Sequence, residues 1–260
     1  VFTKRGILAM NIDERRQVIL NYLMEHESAS VNSIISLLDE SPATIRRDLT
    51  FLEANGVIVR SRGYAKYNQP AIVSNIHITD GKLAVAKAAV QLIPKGATIF
   101  MDSGASAVAL AQQLTDREDL QIITNSLSVA NVLCAGKPSV YMTGGSLEGR
   151  QECLVGSDAE HYIQSIRVPL LFLTTTGIRK EQGLVCVTPA QATLKHIMVK
   201  SAERVVVLAD AQKLATDSIR LFATFDEIDT LIIDEPVDDA AFLQLLAQKH
   251  VELIVANQNP

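Results

Sequence analysis

Three short loops in this sequence carry residue types suited to holding an anion or a hydroxylated ligand. Asp102-Ser103-Gly104-Ala105-Ser106 follows an apolar run ending at Met101, Thr124-Asn125-Ser126 follows a second run, and Thr143-Gly144-Gly145-Ser146 follows a third. Small side chains, hydroxyls and glycine at the point where a strand leads into a helix leave backbone amides free to point at a negative charge. One such loop is an ordinary turn, but three in register at strand ends suit a phosphate or a hydroxyl-rich ligand. Lys195 and Lys213 are candidate counter-charges. Asp210, which closes the run Val205 to Ala209, could bind sugar hydroxyls, orient a lysine or cap the next helix. His196 has no metal-spaced partner, and it reads as a helix-surface or core residue.

A second constellation is basic. Between residues 41 and 66, Arg46, Arg47, Arg60, Arg62 and Lys66 face only Asp48 and Glu53, a local charge of +3 in a chain of net charge −5. With Ile45, Leu49 and Leu52 turned inward on a helix, Ser41, Ala43, Thr44, Arg46 and Arg47 are the outward residues near its N-terminus. Arginine can grip guanine through two hydrogen bonds, and hydroxyls with helix-terminal amides suit phosphates or base edges. Arg60 and Arg62 would lie alongside on a hairpin. The competing reading is a solvated helix whose arginines pair with Asp48 or Glu53.

The elements that must position these residues follow from apolar spacing. Val18, Ile19, Tyr22 and Leu23 make one helical stripe. Ser30 caps a short second helix carrying Val31, Ile34, Ile35 and Leu38, and Ser41-Pro42 opens a third that ends near Asn55-Gly56. Val57-Ile58-Val59 then forms a strand turning at Gly63. This predicts a winged helix-turn-helix over residues 11–66. Ala65 to Gly81 has no sustained periodicity, so residues 67–81 read as a linker.

From residue 82 to 260 strand-like and helix-like runs alternate. Strands are expected at 98–101, 120–124, 139–142, 170–174, 205–209, 231–234 and 251–255, and helices at 82–92, 107–114, 127–134, 158–166, 189–200 and 240–249. Runs apolar on both sides and separated by helices imply an α/β domain with a doubly wound, mostly parallel sheet covered on both faces.

Composition agrees with a folded protein of one or two domains. The chain has 260 residues, 48% of them hydrophobic and 20% charged, which excludes disorder and a wholly basic nucleic-acid coat. Cys134, Cys153 and Cys186 form no C-x-x-C pair and are expected to be reduced. No apolar run reaches the ~18 residues of a membrane span. The first ten residues hold Lys4 and Arg5 but no signal-peptide core, so a cytoplasmic protein without membrane association is expected.

The stretch Ser41-Pro42-Ala43-Thr44-Ile45-Arg46-Arg47-Asp48-Leu49, with Leu52-Glu53 and Gly56-Val57-Ile58-Val59-Arg60, resembles the winged helix-turn-helix of the DeoR family of bacterial sugar-catabolism regulators. The wing departs from the family's His-Gly-Gly, reading Arg62-Gly63-Tyr64. Loss of the second glycine is expected to restrict the turn. Residues 82 to 234 likewise resemble the DeoR sensor domain, whose fold is similar to ribose-5-phosphate isomerase. The resemblance implies a sugar-phosphate site at Asp102, Gly104, Ser106, Thr124, Asn125, Ser126, Gly144, Gly145, Lys195, Asp210 and Lys213. It also implies double-stranded operator DNA as partner and relief of repression by a phosphorylated intermediate, and the geometry of a two-fold operator favours a homo-oligomer, dimer or tetramer.

Departures cluster in that site. The family's Gly-x-Asp-Gly-Ile is Thr174-Thr175-Thr176-Gly177-Ile178 here, the glutamate four residues before the helix lysine is Gln191, and two small hydroxyl residues are replaced by Ala211 and Gln212. Two carboxylates have become neutral, which lowers repulsion against an anion and points to an effector more anionic or less hydroxyl-rich than an aldose phosphate, the alternative being a pocket that has lost ligand sensing. The alternative function is an enzyme of the sugar-phosphate isomerase type, using Asp102, Asp210 and lysines to move protons. The losses at Thr176 and Gln191 count against it. No G-x-G-x-x-G, Walker A or H-E-x-x-H motif occurs, so neither cofactor nor metal is expected.

Overall fold

The computed structural model describes residues 12–26, 28–38, 40–54, 58–67, 78–149 and 152–256. The chain separates into two compact units, Val1–Val73 and Ser74–Pro260.

The first unit contains α1 (Ile12–His26), β1 (Ser28–Ser30), α2 (Val31–Leu38), α3 (Pro42–Ala54), β2 (Ile58–Ser61) and β3 (Tyr64–Tyr67). Ile19 and Leu23 of α1, Ile34 of α2, and Ile45 and Leu49 of α3 are wholly buried together, so each apolar stripe meets the other two. Ser30 Oγ accepts from Ser33 N and Ser41 Oγ from Thr44 N, so both predicted capping serines close their helices. β1 pairs antiparallel with β3, which pairs with β2, giving a three-stranded wing. Only the hairpin was legible in the sequence, because Ser28-Ala29-Ser30 is too short and polar to alternate.

The turn of that hairpin falls on Arg62 (φ 46) and Gly63 (φ 85), the pair of left-handed positions a two-residue hairpin turn needs. Tyr64 is already in β3, opposite Ser61, so the missing second glycine does not restrict the turn as expected. Its exposed ring instead extends the wing's surface. Most of the predicted linker, residues 68–77, and the predicted helix end at Asn55-Gly56 lie outside the described residues.

The second unit runs α4 (Asp80–Val90), β4 (Thr98–Met101), α5 (Ala105–Leu114), β5 (Gln121–Thr124), α6 (Leu127–Leu133), β6 (Ser139–Met142), β7 (Ser146–Glu148), β8 (Cys153–Val155), α7 (Ser157–Gln164), β9 (Val168–Thr174), β10 (Gly177–Arg179), β11 (Gly183–Cys186), α8 (Pro189–Lys200), β12 (Ala202–Leu208), β13 (Arg220–Ala223), β14 (Thr230–Ile233), α9 (Ala240–Gln248) and β15 (Glu252–Val255). Seven strands form one parallel sheet in the order β15-β14-β12-β9-β4-β5-β6.

Alternation along the central strands explains the two layers. Ile99, Met101, Leu170, Phe172, Val206 and Leu208 pack with α4, α5 and α6, whereas Phe100, Leu171, Leu173, Val205 and Val207 pack with α7, α8 and α9. Winding starts at β4 and proceeds to β6, then resumes at β9 on the other side of β4. The switch therefore lies between β4 and β9, where ligands settle in open α/β sheets. Two smaller antiparallel pieces, the β7–β8 hairpin and the sheet β10-β11-β13, sit outside this pattern. Among the described residues, no helix is long and apolar enough to cross a membrane.

Candidate functional site

On the first unit, α3 carries the basic surface, and its acid neighbours are engaged elsewhere. Asp48, 1% exposed, accepts from Arg15 Nε at 2.6 Å and from Arg16 Nε at 3.0 Å, both on α1. Its hydrogen bond pushes the Arg15 guanidinium above its ordinary pKa against the opposing effect of burial. Arg16 also lies 3.6 Å over the Phe51 ring. Glu53 binds Arg60 Nε at 2.9 Å. Arg46 and Arg47 therefore stand exposed with no carboxylate partner among the described residues, and so does Arg62 at the wing tip. Arg46, Arg60 and Arg62 border one groove of about 510 Å³ together with Asn32, Ser61 and Tyr64. Ser41, Ala43 and Thr44 lie on the same first turns of α3, although Ser41 and Thr44 hydroxyls already bond each other at 2.8 Å.

On the second unit, a cavity of about 270 Å³ opens at the switch between β4 and β9. Its floor is a buried ion pair. Asp102 is 0% exposed and bonds Lys195 Nζ, while Thr174 donates to it through N at 3.0 Å and Oγ1 at 2.9 Å. Lys195 Nζ also donates to Thr174 O at 3.1 Å. Gly104 precedes α5 at φ 126, a conformation only glycine adopts readily, and a Cβ there would come 3.1 Å from Thr174 Oγ1. As Gly104 has no side chain to cap α5, the first-turn amides at Ala105 and Ser106 remain at the cavity wall.

Lys82 and Lys213 complete the cationic lining. Lys82 Nζ binds Asp210 Oδ2 at 2.9 Å, whereas Asp210 Oδ1 is buried without a partner. Lys213, on a 3-10 turn after β12, has no carboxylate partner among the described residues. Helix ends, lysines and hydroxyls converging in one hollow can hold a doubly charged anion.

Two comparisons with protein families decide the identity. Residues 15–71 match the DeoR-like helix-turn-helix domain, and residues 77–235 match the DeoR C terminal sensor domain. The chain belongs to the DeoR family. Similar proteins include the putative aga operon transcriptional repressor of Escherichia coli O157:H7, 32% identical with 94% of each chain covered. The HTH-type transcriptional regulator GlpR of Haloferax volcanii is 35% identical over 86% of this chain and 91% of its own. The HTH-type transcriptional repressor GlcR of Bacillus subtilis is 32% identical over 95% and 97%. Among solved structures, ribose 5-phosphate isomerase A of Methanocaldococcus jannaschii matches with a TM-score of 0.38, 19% identity and coverage of 51% and 53%.

This DeoR-family regulator thus carries a DNA-binding unit and a small-molecule sensor domain. Of the sensor residues singled out from sequence, Gly104, Ser106, Lys195 and Lys213 line the cavity, with Asp102 directly behind Lys195 and Asp210 behind Lys82. Thr124, Asn125, Ser126, Gly144 and Gly145 do not line it. Thr124 Oγ1 accepts from Ser126 N, Ser126 Oγ caps α6, and Asn125 Nδ2 donates to Leu154 O of the β7–β8 hairpin. Gly144 and Gly145 lead the chain into that same hairpin.

The cavity of the sensor domain is also lined by residues that sequence reasoning passed over. Lys82 read only as the start of a helix, and Val187 belonged to no expected element. Thr175, Thr176 and Gln191 line the cavity as well, so both neutralised family positions face it. Ser103 and Ala105 belonged to the recognised loop and could have been added on that ground.

Proposed function

We propose that this regulator represses a carbohydrate-catabolism operon and that a phosphorylated sugar or related anionic metabolite relieves the repression. The observation that carries the effector half is the cavity at the switch point, where the uncapped α5 N-terminus meets Lys82, Lys195 and Lys213. Neutral Thr176 and Gln191 in its wall add no charge to oppose an anion. The relatives include a putative aga operon repressor and a glycerol-3-phosphate regulon repressor, which accords with this class of ligand.

For the DNA half, Arg46 and Arg47 of α3 read bases in the major groove, and Arg60 and Arg62 hold the backbone or minor groove beside it. Ser41, Ala43 and Thr44 approach phosphate or base edges at the helix start. Two copies related by a two-fold axis present paired winged helices to a palindromic operator. Release follows when the effector binds one arrangement of the assembly better than the other.

An isomerase reading draws no support from the geometry of Asp102. Its carboxylate is committed to Lys195 and Thr174, not held ready for a substrate proton. The decisive experiment selects genomic DNA fragments with the purified protein at near-physiological salt and sequences those retained. Enrichment of a few intergenic sites with paired half-sites beside sugar-catabolism genes, released by intermediates of that pathway, is expected. Retention without site preference, or turnover of pentose or hexose phosphates, contradicts the proposal.

A further inference from the structure

Gln191 and Lys195 stand one turn apart on α8, both buried and both on the cavity wall. Gln191 is the third helical residue after the Thr188 cap, a position from which glutamine commonly reaches back to the cap's own amide. Here it reaches elsewhere. Its Nε2 donates to Glu148 Oε2 of β7 across 2.8 Å, with Cys153 Sγ at 3.8 Å.

An ionised carboxylate can only accept hydrogen bonds, so this contact dictates which end of the amide faces which way. If the amide were turned over, two oxygens would meet at hydrogen-bond distance with no proton between them. With Nε2 directed at the hairpin, Oε1 has no partner among the described residues and is absent from their buried unpaired atoms. It is therefore free to accept from a ligand, and Gln191 borders the cavity.

The remaining polar lining of the cavity combines donors suited to an anion, the lysine ammonium groups and the first turn of α5, with the hydroxyls of Ser103, Ser106, Thr174, Thr175 and Thr176. Gln191 Oε1 differs from both in carrying no proton of its own, so it can only accept: it rewards a hydroxyl or amino hydrogen and does not repel the anion beside it. We propose that Gln191 is a specificity-determining residue that selects effectors carrying a hydrogen-bond donor beside their anionic group. Glu148 is the positioning residue that holds its amide in the selecting orientation. The inference rests on reading the cavity as an anion site, and it departs from the expectation of a less hydroxyl-rich effector, since the Gln191 amide held by Glu148 favours a hydroxylated or amino-substituted phosphate.

Calorimetric titration of the full chain with glucitol 6-phosphate and with hexyl phosphate tests it, since only the first carries hydroxyls on the six-carbon chain. Gln191→Leu is expected to lower the preference for glucitol 6-phosphate about tenfold while hexyl phosphate binds within about twofold of wild type. Glu148→Ala, which frees the amide to turn over, is expected to lose part of that preference. Glu148→Gln, whose side-chain oxygen still accepts from Gln191 Nε2, is expected to restore it. A preference unchanged in Gln191→Leu overturns the selection, and a full preference in Glu148→Ala overturns the positioning. Failure of both probes to bind wild type overturns the anion-site reading and this inference with it. Binding of both with a ratio insensitive to Gln191 overturns this inference alone.

Discussion

Arg15 of α1 donates to Asp48 of α3 over 2.6 Å in a buried contact, and this pair separates the structural charges of the DNA-binding unit from its free ones. Asp48 follows Arg46 and Arg47 directly in sequence, yet it points inward to Arg15 and Arg16. The two outer arginines are left without a carboxylate partner among the described residues.

Removing Asp48 takes the shared carboxylate from two largely buried guanidinium groups, with Arg15 keeping its 3.4 Å contact to Glu40 and Arg16 its place over the Phe51 ring. Asp48→Ala is expected to destabilise the N-terminal unit by about 3–5 kcal/mol, and Asp48→Leu combined with Arg15→Met to recover much of that loss. Urea unfolding followed by circular dichroism measures both. An Asp48→Ala midpoint equal to wild type would show that the pair is not structural.

The arginines of the reading surface should separate by role. Arg46→Ala and Arg47→Ala are expected to cost about 1–3 kcal/mol each against the selected operator and to relax its sequence preference. Arg62→Ala should weaken all sequences alike and reduce the salt slope by about 1. Arg60 is already held by Glu53, so Arg60→Ala should have a smaller effect than Arg62→Ala. Fluorescence anisotropy on operator and scrambled duplexes over a salt series reads all four, and indifference to Arg46, Arg47 and Arg62 together would misplace the surface.

In the sensor domain, Lys195→Met leaves the Asp102 carboxylate buried without its cation. A loss of about 3–5 kcal/mol is expected, and Asp102→Asn in the same chain should return most of it because a neutral amide tolerates burial. Chemical denaturation of the single and double variants gives the coupling. Additive losses would mean that the two groups do not act as a pair.

Cys153 and Cys186 are buried, and burial pushes their thiols up to about 11, with Asp102 and Glu148 adding to the shift for Cys153. At pH 8, Cys134, which is exposed, should react quickly with an aromatic disulfide reagent, and the other two only after unfolding. The folded chain keeps these protons to about pH 11, whereas unfolded thiols ionise near the ordinary value of 9.0. Stability should therefore fall as pH rises from 9 to 11, by roughly 2 kcal/mol per thiol. A Cys153→Ala, Cys186→Ala chain with an equally steep fall would contradict this.

Periodic elements were the legible part. Ile45, Leu49 and Leu52 announced α3 and its outer face, and the two-sided apolar runs announced the parallel sheet with covered faces, because local spacing alone dictates what each element must bury. The antiparallel pieces were not legible. Strands of three or four residues such as Ser146–Glu148 or Gly177–Arg179 have too few residues to show a period, and they exist through partners distant in sequence.

The same division holds within the site. The sequence by itself determined the loop Asp102 to Ser106 at a strand end, the lysine at Lys195 and the neutral residues Thr176 and Gln191, since these follow from residue type and local order. Only the tertiary structure decided that Thr124 to Ser126 brace a hairpin, that Lys82 comes to Asp210, and that Glu148 turns the Gln191 amide. Each of those outcomes brings together residues from elements far apart in sequence, and so depends on how the strands and hairpins are arranged. Strand order is set by packing the whole sheet between its helices, and no local window of residues contains it.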